Sequence, residues 1–322
     1  MKKNIIEDQR MMLRVSDLYY NQNLSQQEIA TKLSISRPTI SKLLKSARDV
    51  GIVQITVSDI NGRKHYQLEQ VLEEKFGLKE VYIVESQKEA SQTKEEIGKA
   101  AAQYLARILR EGDVIGLSMG TTLATIPDFP QDVYFSNLTF VPLIGGLGTV
   151  ANDLHSNTIA EALSRNFGGY YLPIHAPAMV SRIKTKVELM KETSIKRVFK
   201  KAEHMTIALV GIGYPDENSS TIVKTGYFTP EILEELKAQK ICGDICMNFY
   251  DEAGNIDKFE YNEKVVGINI KKLREVPHSI AVCCGREKCA AIRGAINGGY
   301  INVLITDYDT AVGLDTFFQS DL

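Results

Sequence analysis

SQQEIATKLSISRPTISKLLKSARDV, residues 25–50, reads as two short helices around a tight turn. Ser25 and Glu28 have the spacing of a capping box, in which each side chain satisfies a backbone N–H at the helix start. Ile29, Ala30 and Leu33 recur at helical spacing until Ser34, Ile35 and Ser36 interrupt them as a turn should. A second helix opens at Ser36, with Pro38 in the first turn where its missing N–H costs little. Ile40, Leu43, Leu44 and Ala47 form its buried stripe, and Gly51 stops it. The opposite face carries Ser36, Arg37, Thr39, Ser41, Lys42 and Lys45, cations for phosphates and short hydroxyls that can approach base edges. Such a pair is expected to be a helix-turn-helix DNA reader, with Ser34 standing where such turns often carry glycine.

Working outward, Met11, Val15, Leu18 and Tyr19 predict a supporting helix over Arg10–Tyr20, and Ile52–Val57 alternates like the wing strand of a winged helix. The polar stretch Asp59–Lys64 marks a boundary, so a DNA-binding domain is expected over residues 1–58 and a second domain over 59–322. Leu68, Val71, Leu72 and Phe76 then define a short amphipathic helix. Charge divides in the same way. The first 50 residues carry nine Lys or Arg against five acids, net +4, and the remainder carries −6 within an overall −2. A basic head on an acidic body suits nucleic-acid contact confined to the N-terminus. With no signal-peptide core or apolar run of about 18 residues, a cytoplasmic protein without membrane contact is expected. Cys242, Cys246, Cys283, Cys284 and Cys289 make no CxxC framework, so reduced core residues are expected and no metal.

From Glu80 onward short apolar runs at Val81–Val84, Val114–Leu117, Leu138–Leu143, Thr206–Val210, Ile280–Cys284 and Val303–Ile305 alternate with helical patterns at Thr93–Leu109, Asn157–Asn166, Pro230–Ala238 and Lys288–Ile296. The order predicts an α/β domain with a parallel sheet, whose ligands sit beyond the carboxyl ends of the strands. Gly116–Thr122, GLSMGTT, follows one such strand and is the leading candidate for a phosphate turn, through Ser118, Gly120, Thr121 and Thr122. Gly145 and Gly146, with Gly148, follow the next strand, and Gly211 and Gly213 another; Asn152, His155 and Asn157 add groups able to bond sugar hydroxyls or to cap a helix. Lys288 is a candidate phosphate cation or a solvated lysine, Asp244 a hydroxyl acceptor or a turn cap, and Asp307 a ligand group or, preferably, the N-cap of the next helix.

The order of YYNQNLSQQEIATKLSISRPTISKLL, GLSMGTT, YYLP at Tyr170–Pro173, VGIG at Val210–Gly213, GDIC, and INVLITD at Ile301–Asp307 resembles the SorC-type sugar-responsive bacterial transcription regulators along nearly the whole chain. The resemblance implies an N-terminal winged helix-turn-helix and a C-terminal Rossmann-like effector domain similar to sugar-phosphate isomerases. It also implies a phosphorylated sugar effector, operator DNA as partner, and a homodimer or homotetramer. By motif position it makes Ser118, Gly120, Thr121, Thr122 and Lys288 phosphate binders, puts His155 and Asn157 in the polar segment after Gly145 and Gly146, and makes Asp244 a sugar-contacting acid. Ile144 replaces the lysine with which some relatives would form an imine, which excludes covalent capture there, and Leu147 and Thr149 offer no arginine. The implied function is a regulator, preferably a repressor, of carbohydrate genes that needs no cofactor; a sugar-phosphate isomerase with an accessory DNA-binding head is the alternative.

Overall fold

The computed structural model describes residues 8–55, 64–146, 148, 154–214 and 227–316. Among its described residues the N-terminal unit holds three helices, α1 (Gln9–Ser16), α2 (Gln26–Leu33) and α3 (Arg37–Asp49), with a π-helical turn at Asp17–Asn21 continuing α1. The capping box forms in full: Glu28 N–H donates to Ser25 Oγ at 3.3 Å and Ser25 N–H to Glu28 Oε2 at 2.8 Å. Ser34 closes α2 at φ 53°, ψ 40°, the left-handed region that glycine enters freely and other L-residues enter at a cost. Val15, Ile29, Ile40, Leu43 and Ala47 are fully buried between the three helices. The expected wing differs. Residues 52–55 form no strand, because Val53 N–H bonds back to Ala47 O at 3.1 Å and folds the segment against the end of α3. Thr56 and Val57 lie outside the described residues, as does the expected boundary near residues 58 and 59. By internal contacts the units are Met1–Arg63 and Lys64–Leu322.

The second unit opens with α4 (Tyr66–Phe76), then β1 (Glu80–Val84), α5 (Ala90–Ile108), β2 (Val114–Leu117), β3 (Thr139–Pro142), α6 (Ser156–Phe167) and β4 (Tyr170–Tyr171). It continues with α7 (Ile183–Leu189), α8 (Thr193–Ala202), β5 (Ile207–Val210), α9 (Pro230–Ala238), the hairpin β6 (Gly243–Ile245) and β7 (Asn248–Tyr250), β8 (His278–Val282), α10 (Cys289–Asn297), β9 (Val303–Asp307) and α11 (Tyr308–Thr316). Among the described residues seven strands make one parallel sheet in the order β1-β9-β8-β5-β2-β3-β4, and β6 and β7 pair antiparallel apart from it. Helices on both faces explain why the strands read as unbroken apolar runs: β2, β3 and β5 are buried at every position.

The edge strand β1 is protected by carboxylates. Glu73 Oε1 accepts the N–H of Val81 and Glu69 Oε1 that of Ile83, each at 2.9 Å, so one face of α4 takes the place of a missing strand. Among the described residues no helix is long and apolar enough to cross a membrane.

Candidate functional site

From β2 the chain runs outward to β3 and β4, whereas from the adjacent β5 it runs the other way to β8 and β9. Connections that diverge from two neighbouring strands leave a crevice at their carboxyl ends, and here a cavity of about 670 Å³ occupies it. Its described lining comes from Ser86–Lys88 with Ala90, Thr93 and Lys94, the turn Ser118–Leu123, Gly211–Tyr214, Asp244 and Cys246 of the hairpin, Val282 and Cys284–Lys288, and Asp307 with Asp309.

The turn after β2 is held by its main chain, with Ser118 N–H donating to Leu209 O at 2.9 Å. Gly120 takes φ +142°, a conformation open to glycine, and a Cβ there would meet nothing within 4 Å, so its backbone faces open space. Among the described residues no backbone acceptor pairs with the amides of Thr121 and Thr122, which leaves a glycine-opened turn with N–H and hydroxyl donors beside each other. Across the cavity Lys288 is half-buried at the residue before α10, and its charge acts on Asp244.

Asp244 is 5% exposed on β6. Its main chain bridges Gly213 in both directions, at 2.9 and 3.2 Å, and its Oδ2 accepts the Met247 N–H at 3.0 Å. Burial pushes its carboxyl up to about 7, against the opposing pull of the Met247 amide and the Lys288 charge. The native state therefore keeps a proton that the unfolded chain releases near 3.8, so this group's contribution to stability is complete at low pH and is lost as pH rises toward 7. Asp244→Asn removes that dependence: relative to wild type the variant should gain a few kcal/mol between pH 5 and pH 8. Thermal melts at the two pH values measure it, and an unchanged difference would contradict the buried, protonated carboxyl.

Asp307, also 5% exposed, is satisfied within the protein. Ser86 Oγ donates to its Oδ2 at 2.7 Å and Thr310 Oγ1 to its Oδ1, while the Gly285 N–H donates to Thr310 Oγ1 at 2.8 Å. The carboxylate thus ties the end of β9 to the first turn of α11, and it fronts the cavity as well.

Of the residues singled out in sequence, Ser118, Gly120, Thr121, Thr122, Gly211, Gly213, Asp244, Lys288 and Asp307 come together in this cavity, whereas Gly145, Gly146, His155 and Asn157 lie outside its described lining. Gly145 is pressed against peptide backbone: a Cβ would sit 2.5 Å from Pro177 O and 2.6 Å from Ala176 O. Gly146 bridges Pro177, its N–H donating to Ala176 O at 2.8 Å. Asn157 clasps the main chain of Ile174, donating to its carbonyl at 2.8 Å and accepting its N–H at 3.0 Å. His155 occupies the N-cap position of α6, its ring 3.7 Å from where a Cβ on Gly146 would lie. Leu147, Thr149 and Asn152 lie outside the described residues.

Sequence reasoning missed the wall formed by Ser86–Lys88, Ala90, Thr93 and Lys94, although the strand-end rule applied to β1 points to Ser86. Thr93 does not open α5, which starts at Ala90; its Oγ1 instead accepts the Gln87 N–H at 2.9 Å. The five cysteines are free thiols, all buried, and the described residues contain no cluster of metal-ligating side chains. In the N-terminal unit Arg37, Ser41, Lys42 and Lys45 are exposed on one side of α3, while Ser36 and Thr39 are engaged with each other, Oγ to Oγ1 at 2.7 Å, in capping the helix.

Comparison with known proteins gives a consistent set of relatives. The sugar-binding domain family (Sugar-bind) matches residues 61–314. The sorbitol operon regulator of Klebsiella pneumoniae is 33% identical over 309 residues, 95% of this chain and 97% of that protein. The deoxyribonucleoside regulator of Bacillus subtilis is 33% identical over 311 residues, 96% of this chain and 98% of that one. The crystal structure of the full-length sorbitol operon regulator SorC from Klebsiella pneumoniae superposes with a TM-score of 0.73 at 32% identity, covering 94% of this chain and 97% of that chain.

Proposed function

The chain belongs to the SorC family of sugar-binding transcription regulators, and from that premise we propose that it binds operator DNA through α3 and alters its DNA affinity when a phosphorylated sugar fills the cavity at the sheet's carboxyl edge. The observation behind this reading is one chain that holds both an exposed basic helix face and a separate crevice furnished with Ser118, Thr121, Thr122 and Lys288. Hydroxyls, open amides and an ammonium group suit a phosphate, and Asp244 and Asp307 in the same lining suit sugar hydroxyls. Residues 1–58 are the DNA-binding domain, a helix-turn-helix, and residues 59–322 the effector and oligomerisation domain. A homodimer or homotetramer presents paired heads to related half-sites, and the effector acts by binding one quaternary state more tightly than the other. Repression is the preferred sign.

Thr121→Val and Lys288→Ala should each leave operator binding intact while weakening the response to a sugar phosphate at least tenfold, since each removes a donor to an anion. Gel shifts with and without a panel of phosphorylated sugars read both quantities. A normal response in both variants overturns the assignment of the site.

One observation favours a second reading, sugar-phosphate isomerisation: a cavity carboxyl pushed up to about 7, near Lys288, has the proton affinity of a general acid or base. Turnover of ribose 5-phosphate or glucosamine 6-phosphate, lost in Asp244→Asn, would establish it. The relatives named above are regulators, and the regulatory reading is preferred.

A further inference from the structure

The hairpin between β6 and β7 turns through Cys246 and Met247, with Ile245 paired to Asn248 across the two-residue loop. Both turn residues are left-handed, at φ 51° and 57°. A two-residue turn of this kind prefers Asn-Gly, because side chains there are strained. The chain nevertheless places a cysteine and a methionine at these positions and holds them with two side-chain bonds, Met247 N–H to Asp244 Oδ2 at 3.0 Å and Asn248 Nδ2 to Cys246 O at 3.0 Å. The result is that Cys246 Sγ reaches Ser118 Oγ at 3.2 Å, joining residues 128 positions apart on the floor of the cavity. Cys246 is 2% exposed and Ser118 1%, so no bulk water competes for this contact.

We propose that Cys246 is a positioning residue: by donating its S–H to Ser118 Oγ it turns the Ser118 O–H into the cavity, so that Ser118 meets an anionic ligand as a donor. The inference rests on the reading that the turn after β2 holds a phosphate. A serine hydroxyl has one proton and two lone pairs, so receiving a hydrogen bond on one side leaves its proton for the other. Burial pushes the Cys246 thiol up to about 12, which keeps the sulfur protonated at physiological pH. The Ser118 amide is already committed to Leu209 O at 2.9 Å, so the hydroxyl is the remaining adjustable donor of this residue.

The test uses the full chain and inorganic phosphate, titrated calorimetrically into wild type, Cys246→Ala, Cys246→Ser, Ser118→Ala and the Ser118→Ala/Cys246→Ala double variant. Cys246→Ala should weaken phosphate about fivefold, the worth of one hydrogen bond. Cys246→Ser, which still donates, should bind within about twofold of wild type. The double variant should bind no more weakly than Ser118→Ala, because the thiol acts only through that hydroxyl. In wild type the infrared S–H stretching band of Cys246 should shift on adding phosphate, a readout available even where a substitution impairs folding. If wild type does not bind phosphate, the reading of the turn fails and this inference with it. If wild type binds and Cys246→Ala binds equally, or Cys246→Ser is as weak as Cys246→Ala, the inference alone fails.

Discussion

Arg37→Ala/Lys42→Ala is expected to lower operator affinity at fixed salt by at least about a hundredfold, and to reduce the slope of log affinity against log salt by about one unit for each lost phosphate contact. Arg37 lies in the first turn of α3 and Lys42 further along the same helix, and both are exposed. The core they leave behind, Ile29, Ile40, Leu43 and Ala47 at 0% exposure, is untouched, so the melting behaviour should stay that of wild type. The response of the effector unit to a sugar phosphate should also survive, since the described lining of the cavity falls within residues 86–309. Gel shifts at two or more salt concentrations measure affinity and slope together. Unchanged binding would remove α3 from the DNA interface and with it the regulatory assignment.

The second large effect is expected from Gly145→Ala. A methyl at Gly145 would lie 2.5 Å from Pro177 O, 2.6 Å from Ala176 O and 2.7 Å from Pro177 C, all backbone atoms. These atoms are pinned by Gly146 N–H to Ala176 O at 2.8 Å, Ala178 N–H to Gly146 O at 2.7 Å and Gly145 N–H to Val266 O at 2.9 Å. No side chain is available to give way. Overpacking against fixed backbone should cost about 3 kcal/mol, or roughly 6 °C in Tm for a unit of this size. Gly146→Ala is the internal control, because its nearest neighbours would stand at 3.7 Å, ordinary contact distance, and the melting point should barely move. A wild-type melting point for Gly145→Ala, combined with a lost sugar-phosphate response, would return Gly145 to the ligand-binding role that its strand-end position suggests.

The difference between these glycines bears on how far a sequence can be read. Gly120, Gly145 and Gly146 all follow β-strands and all qualified as places where backbone approaches a ligand. Gly120 fronts open cavity, whereas Gly145 approaches the Ala176–Pro177 peptide. Both uses need a missing Cβ, so composition does not separate them. Asn157 poses the same ambiguity: an amide that can bond a sugar hydroxyl can equally clasp Ile174, and that partner lies 17 residues away on another segment. That Ser118, Thr121 and Thr122 line the cavity could be read from donors crowded into a strand-to-helix turn, and that Lys288 does from its place before a helix after another strand end.

What the sequence determined by itself was local. The caps at Ser25 and Ser36 and the helical spacing of the apolar stripe in α3 involve residues a few positions apart, the apolar strand runs mark segments to be buried whatever their neighbours, and the helices and the parallel sheet formed where those patterns lie. Only the tertiary structure decided the strand order that separates the paths leaving β2 and β5, and so where the crevice opens. It alone decided that Ile52–Ile55 folds back on α3 instead of forming a strand, that Glu69 and Glu73 close the sheet's edge, and that Asp244 loses its solvent. It also brought Cys246 beneath Ser118. Each of these depends on which distant segments meet, and desolvation, close backbone approach and long-range hydrogen bonds exist only once they have met.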